Sequence, residues 1–222
     1  MGCDIHLNVE EKIKEQWEFI GGDFYSGRNY NLFAILANVR NGSGFARCDT
    51  GDPLNYIDEP RGLPANVSGD IREESDHWSC DGHSHSYFSL VELLNFDWTQ
   101  ISTQRGYVDA HNYHLFKEGG VNYLKGWSGD VGGNNTEKID NEAMQLLCQD
   151  ILKETGKTFL MADADKIGEH EKSDSKYTQI EWKTPYYKEC NDFLSRTFPK
   201  LMRLAGNVSN FDNVRIVFWF DN

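Results

Sequence analysis

Residues 3–9 alternate strictly, with Cys3, Ile5, Leu7 and Val9 on one side and Asp4, His6 and Asn8 on the other, which predicts a half-buried strand. Trp17–Ile20, followed by Gly21-Gly22, reads as its hairpin partner. From Asn31 the period becomes helical. Leu32, Phe33, Leu36, Ala37 and Val39 form a stripe that Asn41-Gly42-Ser43-Gly44 stops. Residues 41–67 are rich in Gly, Pro and Asp and lack a period, so a long ordered loop or flap is expected there. Loops of that length inside a compact domain usually carry function. Ser68 is placed to cap a short helix over 69–76, and Ser89-Leu90-Val91-Glu92 is a capping box opening a helix to about Phe96. A second long loop region is expected at about 99–135. Asp140–Thr155 reads as an amphipathic helix closed by Gly156, 162–176 as an exposed polar excursion and Tyr177–Lys183 as a strand. Thr184-Pro185 supplies a cap and a first-turn proline for a helix to about Ala205, disturbed at Pro199. The segment Asn213–Phe220 aligns Val214, Ile216, Phe218 and Phe220 on one face of a terminal strand. With no repeat and no linker, the expectation is one α+β domain over 1–222. Its mainly antiparallel sheet would use both terminal strands and pack against several helices.

Composition narrows the partners. The 222 residues hold 22 Lys+Arg against 35 Asp+Glu, a net charge of −13, and include 13 Phe, 6 Trp and 10 Tyr. Such a chain can bury a substantial core, and its acidity disfavours broad nucleic-acid binding or a membrane surface. A small anion held in one local basic pocket stays compatible with that balance. No stretch approaches the roughly 20 apolar residues of a membrane span, and the N-terminus lacks the basic and apolar regions of a signal peptide. Five scattered cysteines without a CxxC pair fit a reducing cytoplasm, the expected location. The oligomeric state leaves no mark on the sequence.

Candidate chemistry gathers at a few polar positions. Asp4 and His6 leave the same strand face and suit either a metal or a carboxylate-oriented imidazole; the same pair would also serve as a plain solvated sheet face. In an extended segment His83 and His85 project together, while Ser84 and Ser86 point oppositely. Two histidines at that spacing fit a general acid and base flanking a phosphoryl group, two metal ligands, or hydrogen-bonded structural residues. The catalytic candidates are therefore His83, His85, Asp4 and His6. The same four would be the ligands of a divalent metal if one is bound; the cofactor is otherwise undetermined. The ligand-binding candidates are Tyr25, Arg28, Asn29, Tyr30, Arg61, Ser84 and Ser86. The two arginines would grip phosphate and the tyrosines would stack on a base. The bland alternatives are a capping Asn29, salt-bridged arginines and a rigid Glu59-Pro60-Arg61-Gly62-Leu63-Pro64 turn. A second histidine pair, His111 and His114, has helical spacing in a Gly-rich region and is the weaker signal.

The opening MGCDIH, the run GRNYNLFAILANVRNG, the turn EPRGLP, the segment DGHSHSYFSLVELLNFDW and the ending VRIVFWFDN resemble a family of small proteins encoded in bacteriophages and prophages. These blocks span nearly the whole chain. The resemblance implies a viral origin and an intracellular setting, and no particular reaction. Phage accessory proteins of this size often counter host defence, so three expectations are carried forward. The first is an enzyme, a phosphodiesterase or other phosphoester hydrolase, acting on a nucleotide-derived immune signal. The second is a non-catalytic protein that sequesters such a signal, and the third is an acidic inhibitor of a host defence factor.

Overall fold

The structure, a computed structural model, describes residues 2–44 and 47–221. Among these, the fold is α+β with mostly antiparallel sheet, and the larger sheet holds both terminal strands. The chain packs as two compact units. The described residues of Met1–Phe45, Pro53–Ser102 and Thr184–Asn222 form the first, and those of Ala46–Asp52 and Thr103–Lys183 form the second.

The first unit is built on a four-stranded sheet. Strands β1 (Asp4–Ile13) and β2 (Gln16–Ile20) make the expected hairpin, and its two turn residues, Lys14 and Glu15, take the positive φ that such a turn requires. Beyond β2 the chain enters α1 (Tyr30–Ala37), capped by the Asn29 side chain on Leu32 N. The polar α2 (Gly69–Trp78) precedes β3 (His83–Ser89) and α3 (Leu90–Asn95), whose Ser89–Glu92 capping box is present in both directions. Later come β4 (Ile101–Asp109), α4 (Ala110–Gly119), β5 (Glu137–Lys138), α5 (Asn141–Thr155), α6 (Leu160–Gly168) and β6 (Lys176–Pro185), which belong to the second unit apart from the first two residues of β4 and the last two of β6. The short α7 (Tyr186–Glu189), a π-helical turn at Phe193–Thr197 and α8 (Phe198–Ala205) then lead to β7 (Val214–Asp221).

The sheet order is β2-β1-β7-β3, so the last strand lies between the first and third. Every residue from Val214 to Phe220 is buried. One face of β7 sends Ile216, Phe218 and Phe220 into a core with Ile5, Leu7, Val9, Leu32, Phe33, Leu36 and Phe88. The other face buries Val217 and Trp219 beneath Ile71 of α2. Each such aromatic side chain contributes roughly 1.5–3 kcal/mol by leaving water. In the second unit, α4, α5 and α6 pack through Tyr113, Met144, Cys148, Ile151 and Ile167, with Ile180 and Trp182 of β6.

Several expectations change. The described residues of 41–67 form no α-helix and no long strand; Phe45 and Ala46 lie outside them. Ser68 precedes α2, yet its side chain makes no cap. The region 99–135 contains β4 and α4 rather than one long loop, and the supposed excursion at 162–176 contains most of α6. Thr184 and Pro185 end strand β6, so the helix expected from there to Ala205 is broken into α7, the π-helical turn and α8.

Candidate functional site

The polar face of the first sheet is organised by strand pairing. In the β1–β7 register His6 lies opposite Trp219 and Asp4 opposite Asp221. His6 stacks on Trp219 with ring centres 5.6 Å apart, and His85 of β3 stacks on the same indole at 5.5 Å. Trp219 thus stands between two imidazoles supplied by its two neighbouring strands. Trp78, at the end of α2, closes over His6 at 4.1 Å. Gly82 permits this crowding, because a Cβ there would lie 3.3–3.4 Å from Trp78, His85 and Trp219 together.

The expectation that His83 and His85 project to one side is corrected by a bulge. Between His83, opposite Phe220, and Ser86, opposite Phe218, β3 has one residue more than its partner, and Ser84 takes a φ of 53°. His83 therefore stacks on Phe220, a residue of the main core, at 6.0 Å, whereas His85 joins Trp219 on the opposite face. His83 Nδ1 and Ser84 Oγ lie 3.0 Å apart, and the buried Ser86 Oγ accepts a hydrogen bond from Arg61 N. Neither serine faces His85 as a separate ligand group.

His85 Nε2 lies 2.9 Å from Ser75 Oγ of α2, at hydrogen-bond distance. Both residues line an open cleft of about 510 Å³ together with Gly62, Leu63, Asp76 and Ser79. The Gly62 N–H donates to His85 O at 2.8 Å, so the EPRGLP turn is anchored along β3 beside the cleft. Burial, reinforced by the neighbouring His83, pushes the His85 pKa below its ordinary value and keeps the ring neutral. Burial likewise pushes His83 down. A neutral imidazole beside a hydroxyl is the arrangement of a base ready to take a proton from that hydroxyl or from a water in its place.

A polar chain continues from His6 towards the strand ends. His6 Nε2 and Asp221 Oδ2 lie 3.3 Å apart, and Asp221 Oδ1 accepts from Asp4 N at 3.1 Å. Arg28 grips Asp4 with both Nε, at 2.8 Å, and Nη2. Those hydrogen bonds hold the Asp4 carboxyl below the usual carboxylate range. The structure thus brings Asp4, His6, Arg28 and His85 into one connected face.

The remaining candidates lie elsewhere in the same unit. Asn29 caps α1 and donates to Glu189 O at 2.7 Å, and the Tyr30 hydroxyl accepts from Cys3 N at 3.4 Å. Tyr25 meets Phe193 edge to face and lines a smaller cavity with Ser26, Gly27 and Lys200. Arg61 is committed to Asp58, to Glu92 at 2.7 Å and to Tyr87 O, with its guanidinium over the Tyr87 and Phe88 rings. Both loop arginines are therefore already paired with carboxylates. Among the described residues no group of three or more His, Cys, Asp or Glu side chains converges to hold a metal ion.

Three residues of this face escaped the sequence reading: Ser75, Trp219 and Asp221. Their signals were present. Alternation places Trp219 and Asp221 opposite Phe218 and Phe220, and Ile71, Ser75 and Trp78 follow helical spacing i, i+4, i+7. A larger omission is Glu10–Arg215, a fully enclosed ion pair of 2.6 Å across β1 and β7, with side-chain exposures of 0 and 6%. Arg215 also donates to Asn66 and covers Trp17, while Glu10 accepts from Ser68 N. This pair fixes the segment that leads into α2, and so positions Ser75 and Trp78 over the sheet.

No helix among the described residues is long and apolar enough to cross a membrane. Comparison with protein-family models, curated proteins and solved structures finds no match.

Proposed function

We propose that the protein acts on a small nucleotide-derived phosphate ligand in the cleft beside His85, as a cytoplasmic accessory protein of a bacteriophage or prophage. The observation that carries this reading is His85 held 2.9 Å from Ser75 Oγ at the wall of an open cleft. In the hydrolytic form, His85 takes a proton from a water as its oxygen attacks phosphorus. The ester oxygen leaves and is protonated by the resulting imidazolium. His6, partnered by Asp221, and the Trp78 and Trp219 rings lie behind His85 on the β1 side, stacked in series, and do not line the cleft itself. A metal-dependent route has less support, since the described residues offer no converging ligand set.

A second reading, binding without cleavage, is favoured by the fact that Arg28 and Arg61 are both neutralised by carboxylates. Neither of these two guanidiniums is therefore free to stabilise charge developing on a transferred phosphoryl group. The acidic-inhibitor reading rests on net charge alone.

The test is incubation of the protein with cyclic dinucleotides and ADP-ribose-type nucleotides, with and without divalent metal, followed by heat denaturation and analysis of the nucleotide. Cleavage lost in both His85→Ala and Ser75→Ala, and retained in His83→Ala, supports the hydrolytic form. Intact nucleotide recovered after demonstrable binding supports sequestration. Absence of both binding and cleavage across the panel refutes the proposal.

A further inference from the structure

The second unit contains a cavity of about 400 Å³ between α4 and α5, a size that admits a small organic molecule. In a chain of net charge −13, its wall carries Lys117, Lys153 and Lys157 against one carboxylate, Glu118. Lys153 pairs with Asp150, whereas Lys117 and Lys157 enter no ion pair among the described residues. The inner wall is apolar and neutral, formed by Tyr113, Cys148 and Leu152. Burial pushes the Cys148 thiol up to about 12, so it packs as a thiol and offers no nucleophile.

His114 supplies the second observation. It lines the cavity, is only 6% exposed, and its Nε2 is buried without any hydrogen-bond partner. Leaving such an atom unpaired costs about 1–3 kcal/mol, and the adjoining cavity is where a partner could be accommodated. Burial pushes the His114 pKa down, so the ring is neutral and offers one donor and one acceptor rather than a charge. The positive charge is therefore at the rim, and the apolar surface with one unsatisfied ring nitrogen is inside.

We propose that this cavity is a binding site for a small organic anion. The charged group lies between Lys117 and Lys157, and an apolar body rests against Tyr113, Cys148 and Leu152 with a polar atom reaching His114. This site is separate in its residues from the His85 cleft and does not depend on the function proposed for that cleft. Carboxylate and phosphate monoester share the required chemistry, and two probes distinguish them.

The test uses the full chain, with histidine side-chain NMR and calorimetry, titrated to millimolar concentration with phenyl phosphate, benzoate and neutral benzyl alcohol. Binding of at least one of the two anions is expected, with the His114 ring signals moving; the anion preferred names the natural headgroup. Lys117→Ala with Lys157→Ala, both at exposed positions, should weaken that binding at least tenfold without changing the melting temperature. Three results would each overturn the proposal: benzyl alcohol binding as tightly as the anions, affinity unchanged in the double variant, or no movement of His114 with any probe.

Discussion

Removing Arg215 is expected to be among the most damaging single changes in the first unit. Its Nε donates to Glu10 at 2.6 Å, and its terminal nitrogens donate to Asn66 Oδ1 at 3.0 Å and Asn66 O at 3.3 Å. Arg215→Ala would leave the Glu10 carboxylate, 0% exposed, with Ser68 N as its remaining partner. Stranding one member of a buried pair costs about 3–5 kcal/mol, a large share of the roughly 5–15 kcal/mol that holds a domain folded. With a urea slope near 2 kcal/mol/M, the midpoint should fall by about 2 M. The double variant Glu10→Gln with Arg215→Met removes both charges while keeping side-chain volume. It should lose much less than Arg215→Ala alone, because well-packed replacements of buried pairs are often near neutral. Because the chain packs as two units, the assay should read this unit directly. Trp17 fluorescence suits, since Arg215 lies 3.9 Å over that ring, as does hydrogen exchange at the β7 amides. The same variants should also loosen α2 and with it the contact between Ser75 and His85. A cost below about 1 kcal/mol for Arg215→Ala, or no coupling between the two positions, would refute this account.

Three further outcomes follow from the same geometry. Burial depresses the pKa values of His83, His85 and His114, so the folded chain binds fewer protons than the unfolded chain, whose histidines titrate near about 6.5. The stability they contribute is present above that pH and lost as pH falls below it. Urea midpoints between about pH 7.5 and 5 should therefore decline, and a rise would contradict the buried neutral assignment. Gly51→Ala should unfold or strongly destabilise the second unit, because Gly51 has φ +141° and a Cβ there would sit 2.1 Å from Thr103 O. Gly156→Ala, at φ +79° in open space, should cost only about 1 kcal/mol, and equal melting temperatures for the two variants would contradict the difference. Gly82→Ala should shift tryptophan fluorescence and lower stability modestly, since Trp78, His85 and Trp219 must give by a few tenths of an ångström.

Where hydrophobic pattern and burial coincide, the fold was legible in the sequence. Strands β1 and β7 show that agreement, as do α1, α5 and the Ser89 capping box. It was illegible where polar or small residues occupy inward positions. In β4 the buried positions are Ser102, Gln104, Gly106 and Val108, a strict alternation of burial with almost no alternation of hydrophobicity. In α6 the buried Asp163 accepts from Thr158 N at 2.7 Å at the start of the helix, and its charge disguised an inward face completed by Ala164 and Ile167. At Thr184-Pro185 the cap-and-proline signature was real in composition, but the β6 ladder extended through it. The site was legible to the same degree. Residue type and spacing single out Asp4, His6, Arg28 and His85, which the structure joins in one face. The side taken by His83 was not legible, because one extra residue at Ser84 reverses the face and no periodicity announces a bulge. Charge alone also overstated the arginines: Asp4 and Glu92 reach them from distant positions in sequence, and Asp58 pairs with Arg61 from three residues before it in the same turn.

The central claim is that the ligand-facing chemistry belongs to the face carrying His6, Trp219 and His85, with His83 turned to the opposite side. Histidine side-chain NMR during titration with the nucleotide panel tests it most directly, whether the ligand is cleaved or merely held. The account predicts that His85 and His6 shift together with a bound nucleotide, that Ser75→Ala alters the His85 response, and that His83 moves far less. Movement of His83 with His85 silent, or no response from either His6 or His85 to any nucleotide, would contradict it.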